Sequence, residues 1–144
     1  MTKTYLPLSF FVVAFCFFVG SLLDITAPCF LPSPRIVVAT AEHDFGTVAT
    51  GADCVHEFVV KNSGTRPLVI SAVSAGCGGC VDVAAYPTES ILPGKTAAIQ
   101  TVLKTSRLQG KVRKHILVES NDPKNGKIVL VLLAVVVEPP NTTE

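Results

Sequence analysis

Cys77 and Cys80 stand three apart in the run Gly76-Cys77-Gly78-Gly79-Cys80, and Cys54 and His56 lie two apart upstream of them. Thiols so placed can pair as a disulfide in an oxidising compartment, exchange with another thiol pair, or ligate a soft metal ion. Exchange needs a stabilised thiolate, and no helical pattern follows Cys80 to bring a helix N-terminus against it. With Cys54 and His56 the pair would make a Cys3His set suited to zinc, or on ligand softness to copper(I). One Cys-x-x-Cys without a second close ligand pair is nevertheless a weak metal signal. A structural bridge is the leading expectation. Proximity favours Cys77 with Cys80, while Cys54 with either stays open, because bridging needs Cα atoms about 4.4–6.8 Å apart and spacing alone does not supply that distance.

No other constellation points to catalysis. His43 and His115 have no cysteine or carboxylate arrangement beside them that marks a catalytic set, so surface or packing roles are expected. Asp44, Glu57, Asp82 and Glu119 are scattered over separate segments and read as solvated faces. The chain has no nucleophile elbow, phosphate loop, dinucleotide fingerprint or His-Glu-x-x-His zinc motif. We therefore expect no enzyme, no cofactor and no small-molecule substrate. Twelve basic against 11 acidic residues give a formal charge of +1. That is no field to gather nucleic acid.

The elements that must carry these residues read as strands. Arg35 to Ala39 is short and β-branched, and Pro32 and Pro34 hold the chain before it extended. Asp44-Phe45-Gly46-Thr47-Val48 contains a glycine suited to a bend or bulge between two half-strands, where the chain is expected to change sheets. From Asp53 to Lys61 a period of two puts Cys54, His56, Phe58 and Val60 on one face and Val55, Glu57, Val59 and Lys61 on the other; the Phe58 face should point inward.

Asn62 to Pro67 is dense in turn formers, and Leu68 to Val73 resumes a strand. The three glycines around Cys77 suit a loop, Val81-Asp82-Val83 a short edge segment, and Ile91-Leu92-Pro93-Gly94 a turn before a strand over Thr96 to Leu103. Val112 to Glu119 and Lys127 to Val137 flank a polar connection with Pro123 and Gly126 and form a final hairpin. The second of these runs is apolar enough to be buried on both faces. No segment after Arg35 has a capped 3.6-residue period. About seven strand-like runs predict an antiparallel β-sandwich over residues 35–138, with a loose tail at 139–144.

Residues 1–34 are an address rather than part of that fold. Tyr5 to Leu23 carries no charged side chain and follows Lys3, as in a transmembrane helix whose basic end stays in the cytoplasm. Its length favours an uncleaved membrane anchor over a removed signal peptide, and Pro28 before Cys29 disfavours a lipid anchor there. The sandwich is then expected outside the cytoplasm, in the periplasm or cell envelope, or secreted should the segment be cleaved. There disulfides persist.

Five motifs occur in order: His43-Asp44-Phe45-Gly46-Thr47-Val48, His56 to Gly64, Pro67-Leu68-Val69-Ile70, the Cys77 loop, and Ser120-Asn121-Asp122-Pro123. Together they resemble an uncharacterised bacterial family, domain of unknown function 1573, which is similar to immunoglobulin-like domains of the Hydin and major sperm protein type. The resemblance spans Ile36 to Val137 and implies an immunoglobulin-like sandwich with a binding or scaffolding habit and no reaction. Relatives usually carry Cys-Gly-Cys, whereas here an extra glycine separates Cys77 from Cys80. The expectation is a membrane-tethered or exported module that binds a protein or envelope partner through an edge strand or end loops. A thiol redox or metal-handling protein, or a plain envelope spacer, is the alternative.

Overall fold

The computed structural model describes residues 31–76 and 78–139. The chain divides into two units, Met1–Leu31 and Pro32–Glu144, and the fold below belongs to the second. The apolar segment Tyr5 to Leu23, Cys29, Cys77 and the tail from Pro140 lie outside the described residues. Among the described residues no helix is long and apolar enough to cross a membrane.

Eight strands follow one another: β1 (Ile36–Val38), β2 (Glu42–Ala49), β3 (Asp53–Asn62), β4 (Ile70–Ala75), β5 (Val81–Ala85), β6 (Thr96–Lys104), β7 (Gly110–Ser120) and β8 (Lys127–Val137). They form two four-stranded sheets, ordered β1-β3-β6-β5 and β2-β8-β7-β4. The period of two in β3 sets its inner face: Phe58, Val60 and Asn62 are buried, whereas Val55, Glu57, Val59 and Lys61 are exposed. Phe58, Val60, Ile99 and Leu103 of the first sheet meet Ile116, Val118, Leu130 and Leu132 of the second in a single core. Each such side chain contributes roughly 1.5–3 kcal/mol on full burial, before chain entropy is subtracted. β8 lies between β2 and β7 with Leu130, Leu132, Ala134 and Val136 in the core; it is not buried on both faces as expected, since on the opposite face Val131 is covered but Val129 and Val137 are exposed.

The strands number eight rather than about seven, and the first two differ from expectation in where the chain changes sheet: the change falls at residues 39–41, before β2 begins. Gly46 is instead a bulge inside β2: its φ of 67° is open to glycine at little cost, its N–H donates to the Asp44 carboxylate (2.8 Å), and the register with β8 shifts between Asp44 and Thr47. The sandwich is also not wholly antiparallel, because β2 runs parallel to β8. β1 and β2 are edge strands of the two sheets joined by residues 39–41 alone, and the direction of β2 matches β8.

A smaller difference concerns the strand expected from Leu68. Leu68 makes an isolated bridge with Ile91, and β4 starts at Ile70. Asn121 explains the break, since its side chain accepts from the Val69 N–H (2.9 Å) and donates to the Pro67 carbonyl (3.3 Å). At the opposite end Thr105 is fully buried. Its hydroxyl lies 2.8 Å from the carbonyls of both Ala49 and Ala52, fastening the turn between β2 and β3.

Candidate functional site

Three places gather the residues singled out above, and the first is the end of the sandwich that carries the thiols. Cys54 pairs in register with Leu103, and Leu103 with Val81, which follows Cys80 directly. Cys54 and Cys80 therefore reach the same end of one sheet, with β6 running between them. At roughly 4.8 Å per strand that places their backbones about 10 Å apart, beyond the reach of a disulfide. Cys54 is a free, half-buried thiol packed against the core. Burial, and then the charge of Asp53, push its pKa up, so it stays protonated and a poor nucleophile. The spacing across β6 separates Cys54 from Cys80, while its alternative pairing with Cys77 falls outside the described residues.

Cys80 is half-buried, its carbonyl accepts the Lys104 N–H (2.9 Å), and its side chain is engaged. The Cys77 half of the expected pair lies outside the described residues. Among the described residues no group of three or more His, Cys, Asp or Glu side chains is arranged to hold a metal ion. Of the zinc or copper set considered above, Cys54 and His56 share the inner face of β3, and Cys80 sits two strands away.

The second place is a ring stack that joins the two sheets. His43 of β2 lies flat on His56 of β3 at 3.6 Å between centroids and 8° between planes. Phe45 packs edge-on to His43 (4.6 Å) and Phe58 edge-on to His56 (4.6 Å). Flat stacking aims the ring nitrogens past one another, so the pair packs and does not chelate. Burial first, then the neighbouring His43, lower the His56 pKa, with Glu57 opposing. The packing role expected for His43 is thus its actual one, while His115 is exposed.

The third place is the outer margin of each sheet, since an edge strand carries backbone donors and acceptors that no neighbour takes up. β1 offers three residues, β2 is bulged and carries Glu42 and Asp44, and β5 carries Asp82 in an ion pair with Lys104. β4 differs from these: Ile70-Ser71-Ala72-Val73-Ser74-Ala75 has no charged side chain and no proline. It pairs with β7 alone, and its one irregularity falls between Ile70 and Ala72. The Gly76 N–H donates to the His115 carbonyl (3.1 Å), which fixes the alternation of the ladder. The N–H groups of Ser74 and Ala72 then turn toward β7, and those of Val73 and Ala75 toward the open side.

Two polar residues escaped the reading of the sequence as anything but turn formers. Asn62 is fully buried, and its amide donates to the Arg66 and Ile91 carbonyls (2.8 Å each) while its oxygen accepts from the Gly64 N–H (2.9 Å). Asp122 is buried and accepts N–H bonds from Ile36 (2.9 Å), Lys124 (2.8 Å) and Asn125 (3.2 Å). Burial would raise its pKa, but these three donors and Arg35 outweigh it and hold the carboxylate below its usual range. The signal for Asn62 was its parity, since the inward series 54, 56, 58, 60 continues to it. Both residues fasten the start of β1. The Asn-Ser-Gly and Asn-Asp-Pro motifs are therefore parts of the fold's frame.

Comparison with known proteins agrees with this architecture. A protein of unknown function from Porphyromonas gingivalis superposes with a TM-score of 0.64 at 16% identity, over 76% of this chain and 51% of that one. The chain thus spans about half the length of that protein. The ASH/PapD-like domain 7 of human CEP192 gives a TM-score of 0.59 at 13% identity, covering 83% of this chain and 97% of that one. The YadV chaperone gives 0.51 at 13% identity, covering 70% and 51%. At these identities the likeness is one of fold. No curated protein matches the chain by sequence. The family model for the protein of unknown function DUF1573 matches residues 36–136, the whole of the sandwich from β1 to β8, and the chain belongs to that family.

Proposed function

We propose that this chain is a non-enzymatic immunoglobulin-like module, held at the outer side of a membrane by its apolar N-terminal segment, that binds a protein partner by strand addition at β4. The observation that carries the proposal is the character of that edge: an uncharged, six-residue strand that pairs with β7 alone, so that among the described residues no other strand is hydrogen-bonded to its outer side. Edge strands left unguarded by charge or proline are those to which another chain can add, with affinity from main-chain hydrogen bonds and tolerance of the partner's side chains. The likeness of fold to a chaperone supports a protein as the partner. The raised pKa of Cys54 makes it a weak nucleophile and favours this reading over thiol exchange at that residue.

The variant Ala75→Pro tests it, because Pro removes an N–H from the open side of β4 without deleting a bond to β7. Affinity capture after crosslinking in intact cells should recover a saturable partner with the native chain. With the variant it should recover at least about tenfold less at an unchanged melting temperature. Equal recovery by both defeats strand addition at β4, and none by either leaves a spacer. A reporter fused after Glu144 should be accessible from outside intact cells, and a reporter sealed inside them would refute the exported arrangement.

A further inference from the structure

The end of the sandwich at which β1 begins is basic, and the fold draws that character from four separate segments. Arg35 opens β1, Lys61 lies at the close of β3, Lys95 precedes β6, and Lys124 sits between β7 and β8; Arg66 lies in the turn after Asn62. All five are exposed. Hydrogen bonds bind their segments together. The Ser63 N–H donates to the Arg35 carbonyl (2.9 Å), the Asn62 N–H to the Lys95 carbonyl (3.0 Å), and the Ile36 N–H to Asp122, two residues before Lys124. Little acid offsets them: Glu119 is taken by Lys127 (2.8 Å) and Asp122 is buried among N–H donors. With Glu89, this end holds five basic against two acidic groups outside that ion pair, a net +3 in a chain whose formal total is +1. The charge is polarised along the long axis rather than spread.

This end is also the one the N-terminal segment must reach. The Thr65 N–H donates to the Ser33 carbonyl (2.9 Å), so the chain is fastened to the basic end from Ser33 onward. Residues 24–32 alone separate it from the apolar run, and even fully extended they reach about 30 Å. A tether of that length holds a weakly attractive face at high effective concentration over the bilayer. We infer that the basic end docks on anionic phospholipid headgroups of the membrane that the apolar segment enters, which turns β4 and the thiol end outward. Each Lys or Arg brought to an anionic surface strengthens association about fivefold, and the attraction fades within a Debye length of about 8–10 Å. This inference rests on the anchored reading proposed above.

The test uses the full chain mixed with vesicles of neutral phosphatidylcholine, or of phosphatidylcholine containing about a third phosphatidylglycerol. Brief lysine acetylation read by mass spectrometry reports each site. On anionic vesicles Lys61, Lys95 and Lys124 should react several-fold more slowly than on neutral ones, relative to Lys111 at the opposite end, and high salt should abolish the difference. Substituting all three with Gln should abolish headgroup-dependent binding without altering the fold. Equal reactivity on both vesicle types overturns the inference. Flotation with neutral vesicles reads the anchor separately. A chain that does not float with them refutes the tether, and its binding to anionic vesicles still decides whether the basic end docks.

Discussion

Asn62 and Asp122 supply with side chains what a three-residue strand cannot supply with its backbone. β1 has too few ladder bonds to hold itself, so the Asp122 carboxylate takes the Ile36 N–H and the Asn62 amide ties the neighbouring turns. Phe58 is the apolar counterpart of these polar fastenings. It is 1% exposed, central in β3, and its ring meets His56 edge-on at 4.6 Å, within the range of a favourable aromatic pair. Phe58→Ala should cost about 3–5 kcal/mol, lost transfer energy plus an unfilled cavity. Urea unfolding checks this, and a loss below about 1 kcal/mol would contradict its central place.

At the scale of the element, the fold depends on one close approach of backbone to backbone. A Cβ on Gly64 would run into the Ser33 carbonyl oxygen and lie 2.5 Å from the Arg35 nitrogen and 2.7 Å from the Pro34 carbonyl carbon. No side chain can swing aside to relieve such contacts, because every atom involved is main chain. Gly64→Ala should therefore displace residues 33–36 and destabilise the domain by at least about 2 kcal/mol. Hydrogen exchange should accelerate at Ile36 and Ser63 before it changes at Leu130. Unaltered exchange at Ile36 would show that the turn yields without disturbing β1. The glycine was legible in the sequence as a turn former, but not its role as a spacer. Spacers are defined by what passes over them, and residues 33–35 are distant in sequence.

The same distinction separates the strands that could be read from those that could not. The bounds of β8 were legible to the residue, because its run is β-branched and apolar and polar turn residues mark its start. The change of sheet between β1 and β2 was misplaced. Ala39-Thr40-Ala41 has no turn former, so the change of sheet is invisible to composition, and Gly46 offered a false place for it. The thiols were legible as a group at one end. The strand between Cys54 and Cys80 was not, since strand order across a sheet depends on pairings far apart in sequence. The open edge at β4 was hidden for the same reason.

For the molecule as a whole, acid acts on two fastenings of opposite chemistry, and their signs can be worked out. Folding lowers the His56 pKa below the ordinary 6.5, through burial and the stacked His43, so the unfolded chain binds the proton more readily. Its share of stability is complete above pH 6.5 and is lost as pH falls from there through the folded-state value. Asp122 is likewise lowered, from 3.8, because three N–H donors favour its charged form. Its share is complete above pH 3.8 and is lost as pH falls through its folded value. Stability should therefore decline in two stages on acidification, the first loosening the contact between β2 and β3 and the second the start of β1. Urea midpoints measured across pH should show both. His43→Gln, which removes the second cause of the His56 shift and leaves burial, should diminish the first stage alone, and Asp122→Asn should lower stability at neutral pH while removing the second. A single stage that neither substitution alters would mean that acid unfolds the sandwich through other groups, and that the His stack and the Asp122 cradle carry no linkage of their own.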